Sequence, residues 1–141
     1  MQKSFINTQH ATLVNKLCRI LKKTPKDIKF CNQVQSIKSK NKKLKKSPRI
    51  LVVEDEVIIT FVEDTDSGVV KKSKQFASKT IEKLKMTENV VSFDATMCND
   101  VGDLSNKIKS LKFETDDAIH LNGALQHCID VARFKAEQQK K

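Results

Sequence analysis

Residues 49–62, Arg-Ile-Leu-Val-Val-Glu-Asp-Glu-Val-Ile-Ile-Thr-Phe-Val, constrain the fold more than any other stretch. Nine of the thirteen residues from Ile50 to Val62 are apolar, and most are β-branched. Side chains of that shape pack well on a pleated, half- or fully buried surface, so the run predicts strand in the middle of a core. The acidic Glu54-Asp55-Glu56 divides it, which predicts two consecutive strands near 49–54 and 57–62 with a turn between them.

Elsewhere the apolar residues recur at helical spacing. Asn7 and Thr8 offer caps for a helix over 8–23, with Ala11, Val14, Leu17, Cys18 and Leu21 on one side. Thr24-Pro25-Lys26-Asp27 has the order of a helix start, and Ile28, Cys31, Val34 and Ile37 then predict a second helix. Ser47-Pro48 closes that basic stretch, since the residue before proline disfavours the helical region. Residues 63–68 form a polar turn. A helix over 69–86 follows, carried by Val70, Ser73, Ala77, Ile81 and Leu84, then a short strand near 89–94. Val101, Leu104, Ile108 and Leu111 predict a helix over 100–111. Thr115 caps a last one, with Leu121, Leu125, Cys128, Ile129 and Ala132 on its face and acids in its first turn. The expected architecture is therefore α/β or α+β: a small layered domain over 49–141, its central sheet packed by helices, preceded by a basic arm of two helices over 1–48.

Charge is distributed unevenly. Residues 1–50 carry fourteen Lys or Arg and one acid, a net of +13, whereas 51–141 carry a net of −3. The densest part is Lys38, Lys40, Lys42, Lys43, Lys45 and Lys46, six lysines in nine residues, followed by Arg49. Nucleic-acid backbones reward such density, because each neutralised phosphate releases condensed counterions. Lysines suit phosphate contact rather than bidentate base reading, and no aromatic interleaves the run to stack on bases. These seven residues are the expected nucleic-acid (RNA or DNA) site of a non-enzymatic subunit of a larger complex with protein partners. The same run has the form of a nuclear-import address, so the expected location is intracellular, nuclear or nucleolar. The alternative is a solvated, solubilising segment.

Other chemistry has less support. No apolar run reaches the length of a membrane span, no signal-peptide pattern opens the chain, and no membrane partner is expected. Cys18, Cys31, Cys98 and Cys128 lack zinc or redox spacing and read as small hydrophobes. Glu54, Asp55, Glu63, Asp64 and Asp66, at strand ends, form a weaker candidate for a cation, and no metal or other cofactor is expected. His10, His120 and His127 stand in no Ser-His or Cys-His arrangement, and with three glycines there is no phosphate-cradling loop. No enzyme activity is expected.

Three partial resemblances remain. Residues 58–134 resemble part of a von Willebrand factor A-type domain: a strand runs into Asp64-Thr65-Asp66-Ser67-Gly68, with helix, strand and helix after it, and Leu121-Asn122-Gly123-Ala124-Leu125 opens another helix. The resemblance implies metal binding at Asp64, although Asp66 and Gly68 stand where that motif has serines. It also implies a second functional reading, a protein–protein adaptor. Residues 89–136 resemble the first half of an Alba-type nucleic-acid-binding domain, through Asn89-Val90-Val91, Ala118-Ile119-His120-Leu121 and Gly123-Ala124-Leu125. Residues 50–56 with Phe93-Asp94-Ala95-Thr96-Met97 resemble a response-regulator receiver, which would make Asp94 a phosphoacceptor.

Overall fold

A computed structural model describes residues 19, 28–40, 42–64, 66–99, 101 and 103–139. Their elements are β1 (Ile28–Lys40), β2 (Lys43–Glu54), β3 (Val57–Glu63), β4 (Val70–Ala77), a 3-10 turn (Ser78–Thr80), β5 (Glu82–Thr87), β6 (Val90–Cys98), β7 (Leu104–Glu114) and helix α1 (Ala118–Gln139). The strands are antiparallel in the order β4-β3-β2-β1-β7-β6-β5. Phe76 of β4 also pairs with Met97 of β6, so the sheet bends round and meets itself. Two meanders, β1–β4 and β5–β7, thus join at two narrow corners; at the other corner β1 meets β7 only through Gln35 and Ser36.

This is a correction to the layered α/β or α+β domain expected above. The strands near 49–54, 57–62 and 89–94 form, as β2, β3 and β6, and the last helix forms as α1. Three other expected helices do not. Residues 28–37 are β1; residues 69–86 are β4, the 3-10 turn and β5; most of 100–111 is β7. The expected helix over 8–23 lies outside the described residues, apart from Arg19. β2 runs unbroken through residue 48, where the basic arm was expected to end.

The helical spacing misleads because much of the sheet is buried on both faces. Phe30, Val34, Leu51, Val53, Ile58 and Phe76 face the barrel interior. Between them in sequence, Cys31, Ile50, Val52, Ile59 and Phe61 form a second buried cluster on the outer face of the same strands. A strand buried on both sides reads as a continuous apolar run, which accounts for Ile50-Leu51-Val52-Val53. Five phenylalanines, Phe30, Phe61, Phe76, Phe93 and Phe113, are almost wholly removed from water. Each stabilises the fold by roughly 2–3 kcal/mol relative to an exposed ring.

Strand alternation sets the two ends of the barrel apart. The β1–β2, β3–β4 and β6–β7 turns lie at one end, which no helix among the described residues covers. α1 fills the other end, burying Ala118, Leu121, Ala124, Leu125 and Cys128 against the interior cluster. Asp117 N donates to Thr115 Oγ1 at 3.1 Å at the start of this helix, the role expected of that threonine. Cys128 Sγ and Ser78 Oγ both donate to the Glu54 carbonyl at 3.2 Å, tying helix, 3-10 turn and β2 together.

Candidate polyanion interface

The basic run folds as the distal part of the β1–β2 hairpin. The pairing of these strands continues to Lys40↔Lys43, but β1 meets β7 only at Gln35 and Ser36, and β2 meets β3 only from Ile50 to Val53. Residues 37–40 and 43–49 therefore form a two-stranded ribbon extending past the barrel, roughly 13 Å beyond Ser36 at 3.4 Å per residue.

A strand's period of two then sorts the cations. Val34↔Arg49, Ser36↔Ser47, Lys38↔Lys45 and Lys40↔Lys43 are register pairs of one parity, the one continuous with the barrel interior. Ile37↔Lys46 and Ser39↔Leu44 belong to the other. Five of the seven expected residues, Lys38, Lys40, Lys43, Lys45 and Arg49, thus occupy register positions of one face. Lys42 stands at the turn with φ +63°, a conformation an L side chain adopts at a cost. Lys46 is drawn away: its Nζ donates to both Glu114 carboxylate oxygens at 3.1 Å on the outer side. Among the described residues no carboxylate pairs with Lys38, Lys43, Lys45 or Arg49.

At the foot of the ribbon the open end narrows to a cleft. Ser36, Lys38, Arg49, Thr60, Ser73 and Lys74 line it, above Phe76 and Phe113. Lys74 N donates to Thr60 Oγ1 at 3.1 Å, which fixes this part of β4 against β3. Burial holds the Lys74 ammonium below the usual lysine range, and the neighbouring charges of Lys38, Lys109 and Arg49 push it further down. Four cations from β1, β2, β4 and β7 thus converge on the mouth. Lys74 and Lys109 were not singled out from the sequence. Their signal is a strand pattern, Lys74 one pleat before Phe76 and Lys109 one before Leu111, and it is lost once both segments are read as helix.

The rim of the mouth is apolar. Leu44 beside the β1–β2 turn is 71% exposed, and Val101 and Ile108 of the β6–β7 hairpin are 81% and 69% exposed.

The other sequence candidates sit elsewhere. Asp55 lies at the helix-filled end, where His127 Nε2 meets it at 3.2 Å and Lys29 at 4.0 Å. Glu56 there takes Lys135 Nζ at 2.8 Å. His120 stacks edge-on against Phe30, with ring nitrogens at 3.0 Å from the Lys29 carbonyl and 3.1 Å from Asp117. These groups dock α1. Asp64 accepts from Asp66 N and Ser67 N within its own turn, and these bonds hold its carboxyl below the usual range. Asp64 and residues 66–68 lie between β3 and β4, where a helix was expected to follow. Cys31 and Cys128 are buried, and burial pushes the Cys128 thiol up.

The fold and site define a class by architecture: a bent antiparallel sheet, plugged by a helix at one end and cationic at the other. Comparison with models of known protein families and with characterised proteins finds no match to this chain.

Proposed function

We propose that this protein is a non-enzymatic nucleic-acid-binding module, a subunit of a larger assembly, which grips the phosphate backbone with one face of its β1–β2 ribbon. The observation that carries the reading is the pair of register positions Lys38↔Lys45 and Lys40↔Lys43. Like charges directly across an antiparallel pair destabilise a hairpin, and among the described residues no third strand holds this one. A line of phosphates removes that repulsion. A two-stranded ribbon also fits a groove of the duplex, and lysines favour backbone contact over base reading.

The test is titration of generic single-stranded RNA and duplex DNA across a salt series. Four to five phosphate contacts predict a log–log slope of roughly −4 on duplex DNA. Affinity that ignores salt overturns the reading, as does affinity that survives replacing Lys38, Lys40, Lys43 and Lys45 by glutamine.

The exposed apolar rim favours a second reading. Leu44, Val101 and Ile108 around a cationic mouth are the components of a surface that settles on an anionic bilayer, apolar tips in the headgroup region and lysines against the lipid charge. Co-flotation with phosphatidylserine vesicles that is lost in a Leu44→Ser, Val101→Ser variant, without loss of RNA binding, would favour it over the first.

A further inference from the structure

Repulsion along the ribbon answers to a row of phosphates, but the cleft at its foot asks for something more compact. It is small: about 30 Å³ on a measure in which one water needs roughly 10–15 Å³. That is space for one phosphate group and none for a base or a sugar. Phe76, Leu111 and Phe113 supply its apolar lining, which offers a sugar or base edge no polar partner. An internal phosphodiester, with a nucleoside on either side, cannot enter, whereas a phosphate at a strand terminus can. The charges agree. A diester carries one negative charge, but a monoester carries about −1.5 to −2 near neutral pH, with three strong acceptor oxygens. Lys38, Arg49 and Lys74 converge there with no carboxylate between them among the described residues, and the Ser36 and Ser73 hydroxyls line the same walls. Arg49 Nη1 donates to the Pro48 carbonyl at 2.7 Å, and its remaining guanidinium donors suit a phosphate oxygen, with the lysines as point charges on the rest.

We propose that this cleft is a phosphate-monoester subsite that seats the terminal phosphate of a nucleic-acid strand lying along the ribbon. The proposal rests on the backbone-binding reading above and adds an end preference to it. Lys74 is its distinguishing residue: it lies on β4, off the ribbon, and belongs to the cleft alone.

The experiment compares one single-stranded oligonucleotide sequence with a hydroxyl or a phosphate at its 5′ or 3′ end, by fluorescence anisotropy on the full chain. The wild type is expected to favour a phosphorylated end about tenfold or more, the size of one charge-assisted hydrogen bond. Lys74→Met is expected to abolish that preference, and Lys74→Arg to restore part of it. Circular dichroism checks that each variant is folded. Equal affinity for both ends in the wild type overturns the subsite, as does a preference that survives Lys74→Met. Binding to neither oligonucleotide overturns the backbone reading itself. A parallel arm uses phosphatidic acid vesicles, whose headgroup is also a monoester, against phosphatidylserine vesicles. Lys74-dependent preference for phosphatidic acid, without any preference among strand ends, overturns the assignment to nucleic acid and gives the cleft to a lipid headgroup.

Discussion

Neutralising the ribbon should make this protein more stable, which is the reverse of what most substitutions do. The perturbation is Lys43→Gln together with Lys45→Gln, which removes one cation from each opposed pair, Lys40↔Lys43 and Lys38↔Lys45. Facing side chains in such pairs have Cβ atoms about 5 Å apart, and flexible stems let the ammonium groups splay to roughly 7 Å. At that separation two unit charges in water repel by about 0.6 kcal/mol, and salt near 0.1 M roughly halves this. Two pairs give about 1 kcal/mol at low salt, or a rise in Tm of about 3–5 °C for a chain of this size. The assay is thermal unfolding followed by circular dichroism at about 10 mM and 500 mM salt, where the screening length falls well below the pair separation. The double variant should melt higher than the wild type at low salt, and the gap should close at high salt. Titration of duplex DNA with the same two proteins should show the log–log salt slope shrinking by about 2. A variant that melts lower at low salt refutes the reasoning, and so does a Tm difference unaffected by salt, because the opposed lysines would then not be repelling one another.

Three further outcomes follow from the interior. Lys74 binds its proton less tightly in the folded state than in the unfolded chain, whose value is near 10.5, because it is partly desolvated and lies near the charges of Lys38, Lys109 and Arg49. The unfolded state then holds more protons as pH rises towards 10.5, so stability rises with pH there; urea unfolding at alkaline pH approaching 10.5 should show the wild type gaining on Lys74→Met. Leu125→Ala, at a fully buried position where α1 fills the barrel, should cost about 2–5 kcal/mol in chemical denaturation. A thiol reagent followed by peptide mass mapping should modify the half-buried Cys98 in the native protein, and should reach Cys31 and Cys128 only after unfolding.

The parts of the fold that sequence reasoning found are those where one cue dominates. Ile50–Val53 is apolar without interruption because both faces of β2 are covered, and Glu54–Glu56 marks the turn into β3 whatever surrounds it. The last helix is legible because Leu121, Leu125 and Cys128 keep one face while charged residues hold the other. β1 failed for an instructive reason. Ile28, Cys31, Val34 and Ile37 fall at intervals of three, but Val34 faces the interior and Cys31 the opposite cluster, so the helical period was produced by two faces of a strand. Val70, Ser73, Ala77, Ile81 and Leu84 mimicked a helix similarly, across two strands and a bulge; Ser78-Lys79-Thr80 was the break that could have divided them.

The candidate site was legible as density and not as shape. Six lysines in nine residues mark a densely cationic segment in any conformation. What a reading as a helical or solvated arm hides is that Lys38 and Lys40 alternate with Ile37 and Ser39, and Lys43 and Lys45 flank Leu44. That is a strand pattern on each side of a two-residue turn, and it separates Lys46 from its neighbours. The contributions of Lys74 and Lys109 depend on β4 and β7 reaching the same opening, which no local pattern reveals.

The narrow seam between β1 and β7 has a consequence for how the chain is made. Gln35 finds Glu114 across more than half of the sequence, and Cys128 reaches back over a similar span to the Glu54 carbonyl. On the ribosome the β1–β4 meander emerges before β6 and β7, with its borders unpaired and its inward phenylalanines, Phe30 and Phe76, facing water. The β1 border is sealed only once β7 has been synthesised, so a stall before it would leave an aggregation-prone sheet rather than a smaller folded protein.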